Sequence, residues 1–251
     1  MQDIVTNAST DDAWEEWGRR DPYFGVITNP KFRRREMTPD GRSEFFESGR
    51  WHVNYVLQMI REHIDAGFQP ASILDFGCGV GRTLVSFAKI AKEATGVDVS
   101  ESMLQEARNN CREHGLSNVH FRSSDDALTE IRGIFDLIHS SIVFQHIPVA
   151  RGKVIFTALL KRLTPGGVGA FQFLYSKVQY ESTFGVPPPS TLVREAVPQA
   201  LRPDSDPEMQ MNPYNMNEIL FSIQSAGAQK LYADFTDHGG ELGLFIFFQK
   251  S

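Results

Sequence analysis

Two groups of residues in this 251-residue chain have types and spacing suited to chemistry. The first is Asp75-Phe76-Gly77-Cys78-Gly79-Val80-Gly81, with glycine at every second position behind an acid. Glycines permit backbone conformations closed to other residues and let a ligand approach the main chain. Tight strand-to-helix turns use the same residues, so the loop alone says little. Two further features sharpen it. Arg82 stands where a dinucleotide-binding fingerprint would place its last glycine. Asp98 follows at the end of the next apolar segment, where a carboxylate can accept both hydroxyls of a ribose. The second group is the run from Phe135 to Pro148, which carries His139, Gln145 and His146 ahead of a following helix.

The elements that must position these groups alternate between strand and helix from about Ser72 onward, the pattern of a parallel sheet covered by helices. Ser72–Asp75 reads as a short buried strand and 82–93 as a helix, with Leu84, Val85, Phe87, Ala88 and Ala91 at helical spacing. Thr95–Asp98 is a second strand. Ser100 caps the next helix, Glu101 sits in its first turn, Met103, Ala107 and Cys111 form its inner stripe, and Gly115 stops it. Strands follow at 118–123, 134–141 and 168–175, with Pro148 in the first turn of the helix between the last two. The stretch 176–213 carries seven prolines and reads as an insertion on the ligand side. Asn215 and Glu218 form a capping box for a helix closed by Gly227. Two final strands, about 229–236 and 242–249, are close enough to be an antiparallel hairpin.

Taken together, these residues resemble the class I S-adenosylmethionine-dependent methyltransferases, closely over about 72–175. The resemblance implies an α/β, Rossmann-like, mostly parallel sheet of seven strands in the order 3-2-1-4-5-7-6, its last strand antiparallel and helices on both faces. It implies S-adenosyl-L-methionine as cofactor, leaving S-adenosyl-L-homocysteine as product. Asp75, Gly77, Cys78, Gly79 and Gly81 match the loop that holds the methionine end, and Asp98 matches the ribose acid. Val99 and Met103 fall where the adenine ring is sandwiched. Asp125, or Asp126 beside it, matches the acid that recognises the adenine amine. Backbone near Ser140 meets the cofactor, and Gln145 and His146 face the acceptor. Direct displacement needs mainly alignment and desolvation. A hydroxyl acceptor also benefits from a base, for which His146 is the candidate with Gln145 as its orienting partner.

Other chemistries are argued down by what stands in place. An Asn/Asp-Pro-Pro-Tyr motif would follow the fourth strand in enzymes that methylate base or glutamine amines. Here that place holds His139-Ser140-Ser141-Ile142, and Asn212-Pro213-Tyr214 lies in the wrong element. Neither Cys78 nor Cys111 suits a cytosine-directed nucleophile, and serines rather than carboxylates end the fourth strand, so no metal is expected. A net charge of -6 disfavours nucleic acid as partner. No secretory signal or membrane-length apolar run is evident, so a cytoplasmic location is expected. The basic run Lys31–Arg35 is interleaved with Asp21, Glu36, Asp40, Glu44 and Glu47, and reads either as a solvated face or as an anion-recognising site.

Residues 1–70 form an expected helical cap or lid, rich in aromatics, ahead of a methyltransferase domain over 71–251. Tyr23 and Tyr55 are its candidates for touching substrate. Because the strands lie beyond residue 48, the sheet domain is expected to survive loss of residues 1–48. The function expected is methyl transfer to an oxygen or nitrogen of a small-molecule acceptor, with Lys31–Arg35 hinting at an anionic one. The alternatives are a protein or RNA methyltransferase, or a binding module that keeps the cofactor without turnover.

Overall fold

A computed structural model describes residues 8–177 and 206–251. Most of the stretch expected as an insertion, 178–205, therefore lies outside the described residues.

The strands are β1 (Ser72–Phe76), β2 (Glu93–Asp98), β3 (Val119–Ser123), β4 (Phe135–Ser140), β5 (Leu163–Lys177), β6 (Ala228–Asp237) and β7 (Glu241–Lys250). They form one sheet in the order β3-β2-β1-β4-β5-β7-β6. Neighbours from β3 to β5 run parallel, and β7 is antiparallel to both β5 and β6. Parallel strands with both faces covered are apolar on alternate residues in both directions. Ile73, Leu137 and Phe247 enter one core layer, and Leu74, Ile138 and Phe248 enter the other.

Helix α3 (Pro39–His63) covers the first layer with Val53, Val56 and Ile60, while α4 (Leu84–Ala88) adds Phe87. The second layer is closed by α6 (Val149–Leu160) and α7 (Met216–Ser225), through Ile155, Phe156, Ile219 and Ile223. A third cluster joins α1 (Ala8–Arg20) and α3 to α5 (Glu101–Glu113): Trp17, Phe32, Phe45 and Phe46 meet Val80, Leu84, Met103 and Leu104. The short α2 (Pro22–Val26) lies between α1 and α3 in the chain. Most of the N-terminal aromatics are thus core residues. Trp17 is 2% exposed and Phe45 fully enclosed.

Local chemistry sets the element ends. Ser100 caps α5 by accepting the Met103 N–H at 3.1 Å, and Thr38 caps α3 by accepting from Gly41 at 3.0 Å. The helix expected over 82–93 shrinks to α4, for two reasons. Thr83 directs its hydroxyl to Asp75 instead of capping, and the Lys92 N–H pairs with the Ala71 carbonyl to start β2. Pro148 occupies the N-cap of α6, one place earlier than expected. β5 extends at both ends beyond 168–175, because Ser176 and Lys177 still pair with β7.

Candidate functional site

A partly open cavity of about 110 Å³ lies beyond the C-terminal ends of β1, β2 and β4, beneath α1 and α2. Its floor is the glycine loop. Gly77 and Gly79 have φ of +72° and +52°, in the left-handed region that side chains rarely adopt. A Cβ on Gly77 would strike Val143, and one on Gly79 would lie 2.5 Å from a Val26 methyl. Backbone N–H groups of Gly77 and Cys78 bond the Val97 carbonyl at 2.8 and 3.0 Å, tying the loop to β2.

Asp98 ends β2 against this loop. Its carboxylate accepts the Gly79 N–H at 2.8 Å and the Ser100 N–H at 2.9 Å. Burial pushes its pKa up to about 6 despite these bonds. Asp75, next to last in β1, accepts the Thr83 hydroxyl at 2.7 Å on one oxygen and His139 Nδ1–H at 2.7 Å on the other. Arg82 is buried beside them, with Ser48 Oγ at 3.5 Å its nearest polar contact. Burial lowers its pKa, and the charge of Asp75 opposes that effect.

The opposite wall is the segment after β4. Ile142 has φ of +59°, a strained value for a β-branched residue that costs about 1–3 kcal/mol. Gln172, buried on β5, holds this turn by accepting the Ile142 N–H at 3.0 Å and the Ser141 hydroxyl at 3.2 Å. Its amide nitrogen donates to His238 Nε2 at 2.7 Å, so His238, left unplaced by the sequence, buttresses the wall through Gln172. His146 donates from Nδ1 to the Gln210 carbonyl at 2.7 Å, and Gln145 donates to its Nε2 at 3.2 Å. Burial drives the His146 pKa down to about 4, so the ring is neutral at physiological pH.

Helix α1 roofs the cavity. Asp11 accepts a fork of two bonds from Arg151 of α6, at 2.5 and 2.8 Å, and Arg151 also reaches Asp126. One turn on, Trp14 packs against the His146 ring, centroids 5.0 Å apart. Glu15 accepts from Ser100 Oγ at 2.8 Å and from the Ser102 N–H and hydroxyl at 3.2 and 2.6 Å, at the start of α5. Gly18 allows the close approach, since a Cβ there would sit 2.6 Å from Ser100 Oγ.

Of the residues singled out by sequence, Asp75, Gly77, Cys78, Gly79, Asp98, Val99, Met103 and His146 line this cavity. Gly81, Gln145 and Ser140 support it from behind; Ser140 is fully buried. Asp125 faces solvent and is engaged by Thr129, while Ser124 takes the lining position. Asp126 contributes through Arg151. Tyr23 and Tyr55 do not reach the cavity. The Tyr23 hydroxyl bonds Glu106 and Asn110 at 2.7 and 2.9 Å, and the Tyr55 hydroxyl bonds Asp234 at 2.6 Å. Packing between helices and the sheet claims both. The Lys31–Arg35 cluster is also outside the lining: Lys31 pairs with Glu44, and Arg33 with Asp21 and Asp206. Sequence reasoning missed Thr10, Asp11, Trp14, Thr83, Ile142 and Arg151 as lining residues. The one signal was Asp11 and Trp14 at i, i+3, which puts them on one helix face.

The sheet order and glycine-loop cavity define the class I, S-adenosylmethionine-dependent methyltransferase fold, and the comparisons agree. Residues 73–167 match the family model described as a methyltransferase domain. Among curated proteins, the ubiquinone biosynthesis O-methyltransferase of Methylococcus capsulatus is 32% identical over 119 residues, 47% of this chain and 48% of the relative. That of Coxiella burnetii is 31% identical over 128 residues, 47% and 53% of the two chains. The chain thus spans about half the length of the curated relatives it matches. Among solved structures, magnesium protoporphyrin IX methyltransferase from Synechocystis PCC 6803 with bound SAH superposes with a TM-score of 0.61. Its identity is 15%, covering 98% of this chain and 96% of that one. The N-methyltransferase NodS from Bradyrhizobium japonicum, with SAH, gives 0.56 at 16% identity, covering 96% and 98%.

Proposed function

We propose that the chain is an enzyme that transfers a methyl group from S-adenosyl-L-methionine to an oxygen or nitrogen of a small-molecule acceptor. The observation that carries this reading is the cavity where the Gly77–Gly79 backbone, Asp98 and the buried Arg82 converge. These residues fit the cofactor chemically. Glycine main chain accepts close approach, Arg82 is a buried cation matched to a carboxylate, and Asp98 is an acceptor matched to ribose hydroxyls. Val99 and Met103 offer apolar surface for a base ring. The bound cofactor supplies an electrophilic methyl on a sulfonium. The chain's part is to bind, orient and exclude water, which α1 does by roofing the cavity. The names of the curated relatives favour an oxygen acceptor.

His146 is the candidate to take the acceptor's proton. Its only bare nitrogen, Nε2, already accepts from the Gln145 amide at 3.2 Å, so that amide must turn aside before the ring takes a proton. A base with so low a pKa accelerates little by proton transfer, so alignment carries most of the rate. We further infer that residues 1–70 act as a cap on the domain 71–251, with α1 as its moving part, and that the enzyme works in the cytoplasm. Among the described residues no helix is long and apolar enough to cross a membrane, and the acidic balance speaks against a nucleic-acid acceptor.

Calorimetry with S-adenosyl-L-homocysteine, followed by labelled methyl transfer to panels of hydroxylated and amino metabolites, protein and RNA, tests this reading. Micromolar product binding and transfer to a small molecule are expected. Transfer confined to protein or RNA overturns the acceptor class, and absence of binding overturns the whole reading.

A further inference from the structure

Beneath the cavity a hydrogen-bonded chain leads away from the glycine loop and is not used by the reading above. β1 and β4 pair with Asp75 opposite His139, and His139 Nδ1 lies 2.7 Å from an Asp75 oxygen. A carboxylate only accepts, so this nitrogen carries the hydrogen. His139 Nε2 lies 2.9 Å from His52 Nε2 of α3, so one hydrogen bridges the two rings. Both histidines are enclosed by the rings of Phe245 and, for His139, Phe87. Burial holds His52 well below the usual histidine pKa, and the nearby charges of His139 and Arg82 act the same way.

The order is thus His52 Nε2 to His139 Nε2 through one shared hydrogen, and His139 Nδ1–H to Asp75. Thr83 holds the second Asp75 oxygen. Rotation of the carboxylate is therefore fixed at both oxygens, one of them through a residue 23 positions ahead of it in the chain. His52 lies outside residues 73–167, the part that matches the family model.

We propose that His52 is a positioning residue of the methyl-donor site: acting through His139, it fixes the direction in which the Asp75 carboxylate faces the cavity. This rests on the donor-site reading given above. His52 touches no ligand in this role, and its effect passes only through the two hydrogen bonds. Packing alone would make any ring of similar size an adequate replacement.

The experiment uses the full chain with ¹⁵N-labelled histidine and three variants, His52→Phe, His52→Ala and His52→Gln. Phenylalanine keeps the ring volume without a donor, and glutamine supplies an amide donor without the ring. Nitrogen shifts of His139 are read by NMR in the ligand-free proteins, and S-adenosyl-L-homocysteine affinity by calorimetry. Wild type should show His139 with Nδ1 protonated and Nε2 engaged in a hydrogen bond. That Nε2 shift should move in His52→Phe and His52→Ala and return in His52→Gln. Loss of one hydrogen bond should weaken affinity roughly 3- to 10-fold in the first two variants, with recovery in the third. If wild type binds the ligand but the Phe variant matches it, in shift and in affinity, the inference is overturned alone. The same holds if Gln performs no better than Phe. If wild type binds no ligand, the donor-site reading falls and this inference with it.

Discussion

Asp98→Asn separates recognition from folding, because the structure gives the two effects opposite pH signs. Ribose hydroxyls donate to the carboxylate and prefer it ionised. With a pKa of about 6, Asp98 is ionised at neutral pH, and donor affinity should fall about tenfold per pH unit below that value. Stability runs the other way. The folded protein raises this pKa from 3.8, so the contribution of Asp98 to stability is fully present below 3.8. It is lost as pH rises through about 6. The difference is worth about 3 kcal/mol, an order-of-magnitude figure. Acid therefore weakens binding while, for this group, it favours the fold. Asparagine removes the buried charge but turns an N–H toward Gly79 or Ser100, leaving one buried donor unsatisfied at about 1–3 kcal/mol. The two changes largely offset, so the variant should unfold within a few degrees of wild type. Its binding should lose at least tenfold, since one charge-assisted bond is worth about 1.5–3 kcal/mol. Calorimetry with S-adenosyl-L-homocysteine from about pH 5 to 8 should give a bend near 6 in wild type and a flat line in the variant. Wild-type affinity in a folded Asp98→Asn protein, or a flat wild-type profile, refutes the assignment.

Gly79→Val should abolish binding of the same ligand, because φ of +52° and the Val26 methyl both exclude the side chain; retained affinity would make the loop a mere turn. Arg151→Ala cuts the roof from α6, and both carboxylates it releases are about one-third exposed. Little change in melting temperature is therefore expected, but faster amide exchange across residues 8–20, and unchanged exchange would show that the ion pairs do not hold α1. Gln172→Leu leaves the Ile142 N–H unsatisfied in a strained turn, a loss of about 1–3 kcal/mol. Ile142→Gly in the same protein should recover part of it, and a cycle with no coupling would show that Gln172 does not hold the turn.

The fold was legible because its signals are local. Apolar runs such as Ser72–Phe76 and Leu244–Phe248 are bounded by turn residues, and the caps Ser100 and Asn215 announce their helices. Where a local signal met a long-range competitor, the reading went wrong. Helical spacing at Leu84, Val85, Phe87, Ala88 and Ala91 could not show that Thr83 is engaged by Asp75, or that Ala71 draws Glu93 into a strand. The floor of the site was legible for the same reason, since Asp75 to Gly81 is one contiguous loop. The walls and roof were not. Arg151 and Asp11 are 140 positions apart, His52 and His139 are 87 apart, and Gln172 meets Ile142 across 30. Nothing in the spacing of residues reports such pairs.

The N-terminal aromatics show how far the same limit reaches. Their number suggested a lid, and a lid suggested a segment that could be removed. The structure divides them by depth instead. Trp17, Phe32 and Phe45 are buried against Val80, Leu84 and Met103, so removing residues 1–48 would strip apolar cover from the glycine loop's own helix and from α5. Each large side chain taken from such a core costs about 3–5 kcal/mol, and a few of these exceed the stability of an ordinary domain. The expectation that the sheet survives this loss does not hold on these contacts. The motion proposed for the cap is therefore confined to the first half of α1, where Asp11 and Glu15 grip charged and capping partners and apolar packing is limited to Ala13 and the partly buried Trp14. Gly18, pressed on Ser100, and Trp17 behind it mark where a hinge gives way to core.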